Sequence, residues 1–153
     1  MEAFIMVGPP GCGKSTFINE VLGLAALSTD LFFENKAHFD KISYNEAWQK
    51  YNFSEAQAFL DKDLEDFIKH HDSFAWDQTQ MSRKSRAKNI ARIPKTYTIH
   101  CINFIITNHD EWMRRVNSRP GKTIPQHVLD SMMNSYEQPA YYEGFSKIWN
   151  VVV

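Results

Sequence analysis

A glycine-rich stretch near the start of the chain brings together residues that could bind phosphate. Its nine residues, Gly8-Pro9-Pro10-Gly11-Cys12-Gly13-Lys14-Ser15-Thr16, match the pattern G-x-x-x-x-G-K-[ST]. Glycine lets backbone N–H groups turn toward phosphate oxygens, and the positive end of the following helix attracts the same anion. In such a loop Lys14 is expected to reach the β- and γ-phosphates, and the Ser15 hydroxyl is expected to bind Mg²⁺. The alternative is a glycine-rich turn that binds nothing.

Further polar residues could support phosphoryl transfer. Asp30 lies at the end of a predicted short strand beside the phosphate loop, where a carboxylate could take the proton of an acceptor hydroxyl. Arg115 and Arg119 are four residues apart near a predicted helix end, so they share a face and could neutralise the transferred phosphoryl. They enter a segment with proline and glycine that could close as a lid. Asp77 and Thr79 follow the next strand and could hold the acceptor.

These residues require a sheet whose strands end at a common edge. Strands are predicted at 3–7, 26–28, 74–76, 98–106 and 148–153. Helices are predicted at 15–24, after Ser43, after Ser54, after Ser82, after Asn108 and from Pro125 to Tyr136, whereas 31–42 is predicted as loop or short turns. This alternation predicts an α/β fold with three layers, α/β/α, around a central parallel sheet. Ligands bind such sheets at the carboxyl ends of the strands, where the phosphate loop, Asp30 and Asp77 fall.

Length and composition are those of an ordinary globular protein. The 153 residues are 43% hydrophobic and 23% charged, which predicts one domain over residues 1–153. No apolar run is long enough to span a membrane and no signal-type segment begins the chain, so a cytoplasmic location is expected. The two cysteines, Cys12 and Cys101, form neither a disulfide framework nor a zinc spacing.

Basic residues are segregated although the net charge is only −1. Residues 82–95 and 114–122 carry ten lysines and arginines and no acid, whereas 54–72 is acidic. Two local basic segments in a near-neutral protein favour a phosphate-bearing ligand held in one place over a nonspecific coat of nucleic acid. The other reading is that these segments are solvated helix faces.

The residues after the third predicted strand argue against nucleotide hydrolysis. Asp77-Gln78-Thr79-Gln80 lacks the glycine of a GTPase switch, and Asn108-His109-Asp110 is not a guanine-reading motif. A motor ATPase usually has Asp-Glu at this strand end, but glutamine follows Asp77 here. Because no hydrolytic base is evident, transfer to an alcohol is predicted.

Four segments together resemble the 5′-hydroxyl polynucleotide kinases, in particular the kinase domain of the phage enzymes. The segments are G-P-P-G-C-G-K-S-T (8–16), T-D (29–30), W-D-Q-T-Q-M-S-R-K-S-R (76–86) and R-R-V-N-S-R-P-G-K-T-I-P-Q-H-V-L-D-S-M (114–132). They follow the family order over about residues 3–136. The last two are more specific than the phosphate loop, which many families share. The resemblance implies a P-loop kinase fold with an arginine-bearing lid.

The resemblance also implies a reaction and roles for individual residues. ATP and Mg²⁺ would be the cofactors, and a nucleic acid or oligonucleotide with a 5′-hydroxyl would be the acceptor, as in nucleic acid repair in a bacterial or phage-infected cell. The residues implied to bind ATP are Gly8, Gly11, Cys12, Gly13, Lys14, Ser15 (which also binds Mg²⁺), Thr16, Arg115 and Arg119. Asp30 would be the general base, and Lys14 and the two arginines would also act in catalysis. Asp77, Thr79 and Arg83 would contact the acceptor.

One departure from the family pattern concerns the acceptor. In the family an arginine soon follows the base and helps to hold a 3′-phosphate, but Leu31-Phe32-Phe33 occupies that stretch here. These aromatic rings could stack on a base, or they could pack in the core, which we favour. A small-molecule nucleoside or nucleotide kinase and a non-catalytic ATP-binding regulatory protein therefore remain alternatives. Whether the chain forms a homo-oligomer also stays open.

Overall fold

The apolar run at the start of the chain forms the central strand of a parallel sheet. The structure is a computed structural model and describes residues 1–153. Its five strands lie in the order β2-β3-β1-β4-β5, and every neighbouring pair is parallel. The strands are β1 (Glu2–Val7), β2 (Ala25–Leu27), β3 (Phe74–Trp76), β4 (Thr98–Ile105) and β5 (Lys147–Val152). The predicted α/β architecture is confirmed.

Helices connect the strands. They are α1 (Lys14–Phe17), α2 (Thr29–Asp40), α3 (Tyr44–Lys50), α4 (Phe53–Lys69), α5 (Arg83–Ile90), α6 (His109–Asn117) and α7 (Gln126–Asn134). Three predicted N-caps are confirmed: the side chains of Ser43, Ser82 and Asn108 accept hydrogen bonds from backbone N–H groups three residues later. No helix has both the length and the apolar character needed to cross a membrane.

The sheet buries side chains on both of its faces. Along β1, Ala3, Ile5 and Val7 join a core that includes residues of α4, whereas Phe4 and Met6 join a second core. This alternation follows from the two-residue period of a strand. The second core also contains Ile18, which lies just after α1. The central sheet is therefore the middle layer of three.

Three local predictions were wrong. The helix expected at 15–24 is α-helical only over Lys14–Phe17 and continues as a π-helical turn, Ile18–Leu22, which ends at Gly23. Helix α4 is capped not by Ser54 but by Asn52, which forms a capping box with Glu55. The third error concerns residues 31–42, which are not a loop.

Residues 29–40 form helix α2 because a cap starts it and an aromatic cluster holds it. The Ser28 hydroxyl accepts a hydrogen bond from Leu31 N at 3.4 Å. Phe32 and Phe33 are buried, and the Phe33 ring stacks on Trp48 of α3 with centroids 4.1 Å apart. These phenylalanines are therefore core residues, which is the alternative that the sequence analysis favoured. They are not free to stack on a nucleobase. Asp30 accordingly lies in the first turn of a helix and not at a strand end.

Candidate active site

A cleft of about 880 Å³ opens at the carboxyl ends of the strands. Nearly all of the candidate site residues of the sequence analysis line this cleft. They come from the phosphate loop, the start of α2, the end of β3, and α6 with the segment after it. The lining includes Gly11, Cys12, Gly13, Lys14, Ser15, Thr16, Asp30, Asp77, Thr79, Arg115 and Arg119. Gly8 and Arg83 do not line it.

Two glycines of the phosphate loop are required by the close approach of the backbone to its neighbours. A Cβ on Gly8 would lie 2.7 Å from Cys12 Sγ and 2.9 Å from Phe104 Cβ. Gly11 has a φ of +76°, and a Cβ there would lie 2.8 Å from Val116 Cγ2 of α6. The loop is thereby packed against β4 and α6, which fixes its shape before any ligand binds. Burial raises the pKa of the Cys12 thiol, so this side chain acts as packing and not as a thiolate.

The Lys14 side chain is buried and folds back over its own loop. Its ammonium donates hydrogen bonds to the Gly8 and Pro9 carbonyl oxygens, each at 2.9 Å. These contacts keep the charge at the floor of the cleft, next to the start of α1. A bound anion would find both the ammonium and the positive helix end in one place.

Asp77 lies beside the phosphate loop. The Ser15 hydroxyl donates to Asp77 Oδ2 at 2.8 Å. A hydroxyl and a carboxylate in contact at the carboxyl ends of β1 and β3 are the oxygen ligands with which phosphate-loop proteins hold Mg²⁺. This donor set therefore fits Mg²⁺. Asp77 thus contacts the phosphate loop directly, and its assignment to the acceptor side stays a prediction.

The metal would need further ligands from the nucleotide or from water. The structure has no cluster of three or more His, Cys, Asp or Glu side chains that could hold a metal ion. Mg²⁺ commonly binds through one or two protein ligands together with waters and phosphates.

The segment after β3 is tied to the phosphate loop. Gly8 N donates to the Thr79 carbonyl oxygen at 3.0 Å. Gln78 accepts from Trp76 Nε1 at 2.9 Å and donates to Thr29 Oγ1 at 3.2 Å, so its side chain links β3 to the start of α2. The Gln78 side chain is therefore engaged in hydrogen bonds that hold the end of β3 and the start of α2 together.

Asp30 faces the cleft from the first turn of α2 with its side chain 51% exposed. Its Oδ1 accepts a hydrogen bond of 2.6 Å from the Tyr44 hydroxyl, and its Oδ2 lies 3.4 Å from Lys122 Nζ. Burial, and then the nearby Asp30 carboxylate, raise the pKa of Tyr44, so its hydroxyl remains a donor at neutral pH. The carboxylate is thus held in place from two sides and remains open to the cleft.

Lys122 and Glu34 are site residues that the sequence reading missed. Both line the cleft, and Lys122 Nζ lies 3.4 Å from Glu34 Oε1 as well as from Asp30. The spacing of Asp30 and Glu34, four residues apart, would have placed them on one helix face had α2 been predicted. Lys122 is 92 residues from Asp30 in sequence, so only the fold reveals this contact.

Arg115 and Arg119, which the sequence analysis assigned to a lid, both line the cleft. Arg115 belongs to α6, and its Nε donates to Glu111 Oε1 at 3.0 Å. Arg114 makes two further hydrogen bonds to Glu111, and the two guanidinium groups, that of Arg114 first, lower the pKa of Glu111 to about 2. Glu111 therefore stays ionised and holds Arg115 at the cleft margin. Arg119 follows the helix and reaches the cleft from the next turn.

The basic helix α5 does not present a continuous charged track. Arg86 is completely buried and donates to Glu143 and to the carbonyl oxygens of Gln80, Met81 and Glu137.

Arg83 donates to the Gln138 carbonyl oxygen and lies over the Tyr142 ring. These two arginines bind the C-terminal part of the chain to the segment after β3. Arg83 does not line the cleft, and its contact with an acceptor stays a prediction.

The strand order, the phosphate loop and the carboxylate of Asp77 at the end of β3 define a P-loop kinase fold. Within that class the chain belongs to an AAA domain family, whose model matches residues 4–139. No protein of curated function matches the sequence.

Solved structures of several kinases share the fold. A protein from Chloroflexus aurantiacus assigned as a kinase is similar with a TM-score of 0.67 and 18% identity, covering 99% of this chain and 87% of that one. A gluconokinase from Sinorhizobium meliloti gives 0.55 and 17%, covering 99% and 82%. A shikimate kinase from Bacteroides thetaiotaomicron gives 0.51 and 16%, covering 97% and 86%. At such low identities the likeness supports the fold, and the narrower resemblance to polynucleotide kinases remains a hypothesis.

Proposed function

We propose that this protein is a kinase that uses ATP and Mg²⁺ to phosphorylate a hydroxyl group of a small, hydroxyl-rich molecule. The observation that supports it most is the meeting of three groups in one cleft: Lys14 of the phosphate loop, the hydrogen-bonded pair Ser15–Asp77, and the Asp30 carboxylate. Phosphate binding, metal binding and proton acceptance are the functions that phosphoryl transfer to an alcohol needs.

On the nucleotide side, the phosphates would lie in the loop against the N-terminus of α1. Lys14 would exchange its contacts with the Gly8 and Pro9 carbonyl oxygens for phosphate oxygens. Ser15 and Asp77 would hold Mg²⁺, which supplies positive charge to the β- and γ-phosphate oxygens when bound. Arg115 and Arg119, which also line the cleft, would stabilise charge on the transferred phosphoryl.

On the acceptor side, Asp30 would take the proton of the attacking hydroxyl. Tyr44 fixes one carboxylate oxygen through its 2.6 Å hydrogen bond, so the carboxylate need not reorient when the acceptor binds. The rest of the acceptor would lie along the cleft face of α2, next to Leu31 and Glu34, which also line the cleft.

The charge of this face favours an acceptor without a phosphate group. Glu34 is 53% exposed and Asp30 51%, and the two carboxylates share a single ammonium, that of Lys122. Carboxylates accept hydrogen bonds from hydroxyl groups and repel phosphate. The kinases named above include a gluconokinase and a shikimate kinase, whose names denote small hydroxylated acceptors.

A second candidate, a 5′-hydroxyl kinase of nucleic acids, is favoured by the sequence segments 76–86 and 114–132. Two observations weigh against it. Arg86 is buried in the fold, and the position expected for a phosphate-binding arginine is occupied by the buried Phe32 and Phe33 beside Glu34. We therefore rank it below the small-molecule kinase.

The experiment that tests the proposal is a transfer assay with γ-labelled ATP and a panel of acceptors. The panel contains sugars and polyols, nucleosides, nucleoside 3′-monophosphates, and 5′-hydroxyl DNA and RNA oligonucleotides. Label transfer to members of the first two groups, lost in Lys14→Ala, is the expected result. Efficient transfer confined to the oligonucleotides would overturn the ranking, and ATP binding without transfer to any acceptor class would favour a non-catalytic nucleotide-binding protein.

A further inference from the structure

The lid segment, residues 118–125, is docked onto the start of α3. Asn45 N donates to the Gly121 carbonyl oxygen at 3.0 Å, and Asn45 Nδ2 donates to Thr123 Oγ1 at 2.8 Å. Gly121 has a φ of +64°, and a Cβ on it would lie 2.9 Å from Ser43 Cβ. The two residues that flank Lys122 are thus attached to α3, and the side chain between them points to α2.

The Lys122 ammonium lies among side chains of α2 and α3. It lies 3.4 Å from Asp30 Oδ2, 3.4 Å from Glu34 Oε1 and 4.1 Å from the centre of the Tyr44 ring. The side chain is 10% exposed. Two carboxylates and an aromatic face are an environment that stabilises a largely desolvated cation.

We propose that Lys122 is a latch: it joins the docked lid segment to Asp30 and so makes closure of the lid a condition for positioning the catalytic carboxylate. This inference rests on the proposed function for the role of Asp30, but the docking itself does not. Asp30 is held by Tyr44 from α3 and by Lys122 from the lid, and Glu34 from its own helix competes for the same ammonium.

The latch explains how the lid arginine and the base act together. Arg119 is three residues before Lys122, and Lys122 N donates to the Arg119 carbonyl oxygen at 3.3 Å within the same turn. When the lid leaves α3, the ammonium leaves Asp30 and the turn that carries Arg119 moves with it. Acceptor entry would open this contact, and its return would place the arginine and the carboxylate on either side of the reacting groups.

Hydrogen exchange tests the latch without depending on kinase activity. We expect Lys122→Met to speed amide exchange in peptides covering 118–125 and 43–45 by roughly 5- to 30-fold, the change in opening produced by losing one buried contact set. Lys122→Arg should keep most of the protection. The matched control is Lys36→Met, because Lys36 is also on α2 but lies over the Phe32 and Tyr51 rings and contacts neither carboxylate.

A kinetic measurement tests the coupling to Asp30. Lys122→Met should lower kcat/KM for the acceptor by roughly 10- to 100-fold, with KM for ATP nearly unchanged and partial rescue by arginine. Unchanged lid exchange in Lys122→Met overturns the latch, whatever the activity. Faster exchange with unchanged turnover overturns its role in positioning Asp30. A wild-type enzyme that phosphorylates no acceptor refutes the proposed function instead, and the exchange result still decides whether the lid is latched.

Discussion

Replacing Arg86 by methionine should destabilise the protein strongly, because this arginine is a buried connector. Its side chain has no exposed area, and its guanidinium makes two hydrogen bonds to Glu143, at 2.8 and 3.2 Å. It also donates to the carbonyl oxygens of Gln80, Met81 and Glu137 at 2.9–3.0 Å. Methionine fills a similar volume but donates to none of these acceptors.

The size of the destabilisation follows from the carboxylate of Glu143, which loses its arginine partner in Arg86→Met. The Glu143 carboxylate is 6% exposed and keeps only the Ala140 N–H as a partner, so it becomes a nearly uncompensated buried charge. Breaking a buried pair in this way costs about 3–5 kcal/mol. At about 2–4 °C per kcal/mol for a protein of this size, Tm should fall by roughly 6–20 °C.

Urea unfolding followed by circular dichroism measures the loss in the free energy of unfolding. One variant serves as a control and a second tests for rescue. Lys84→Met, an exposed lysine on the same helix, should change the free energy of unfolding by less than about 0.5 kcal/mol. Adding Glu143→Gln to Arg86→Met should recover part of the loss, because the stranded charge is removed. A loss below about 1 kcal/mol for Arg86→Met would show that α5 is a surface helix whose arginine is free for a ligand.

Three further changes test the site. Asp77→Asn should raise the Mg²⁺ concentration needed for half-maximal activity by roughly 10- to 100-fold; an unchanged Mg²⁺ requirement would return Asp77 to the acceptor side. Arg119→Ala should lower kcat by roughly 10³-fold with little change in ATP affinity, and an effect on KM for ATP alone would make Arg119 a ground-state ligand. Gly121→Ala should undock the lid, because alanine costs about 1–2 kcal/mol at a left-handed φ and its Cβ would meet Ser43; wild-type lid exchange in this variant would contradict the docked arrangement.

The phosphate loop and the order of the elements were predictable because local patterns specify them. The run 3–7 followed by the glycine motif predicts a strand, a phosphate loop and a helix, and the structure has all three, although the helix is α-helical only over its first turn and ends earlier than expected. The caps at Ser43, Ser82 and Asn108 are also local, since each bonds a backbone group three residues away. Such signals do not depend on the rest of the chain.

Helix α2 was missed because its stability comes from contacts with other helices. Its aromatic residues do not follow a clear helical period in the sequence, and Phe33 is fixed by stacking on Trp48 of α3. The burial of Arg86 was equally hidden, since its partners Glu137 and Glu143 lie 51 and 57 residues away. A run of basic residues therefore indicated a binding surface where the fold uses one of them internally.

Single-turnover transfer in Asp30→Asn tests whether Asp30 is the base for phosphoryl transfer to an alcohol. Asparagine keeps the size and the N-terminal helix position but removes the basicity. Glu34→Gln is the matched control, because it removes the other carboxylate that contacts Lys122 and leaves Asp30 in place. We expect ATP binding by Asp30→Asn to change by less than about 3-fold and Tm only slightly, while the transfer step slows by roughly 10²- to 10⁴-fold. Transfer at the wild-type rate by a folded, ATP-binding Asp30→Asn protein would show that Asp30 is not the base.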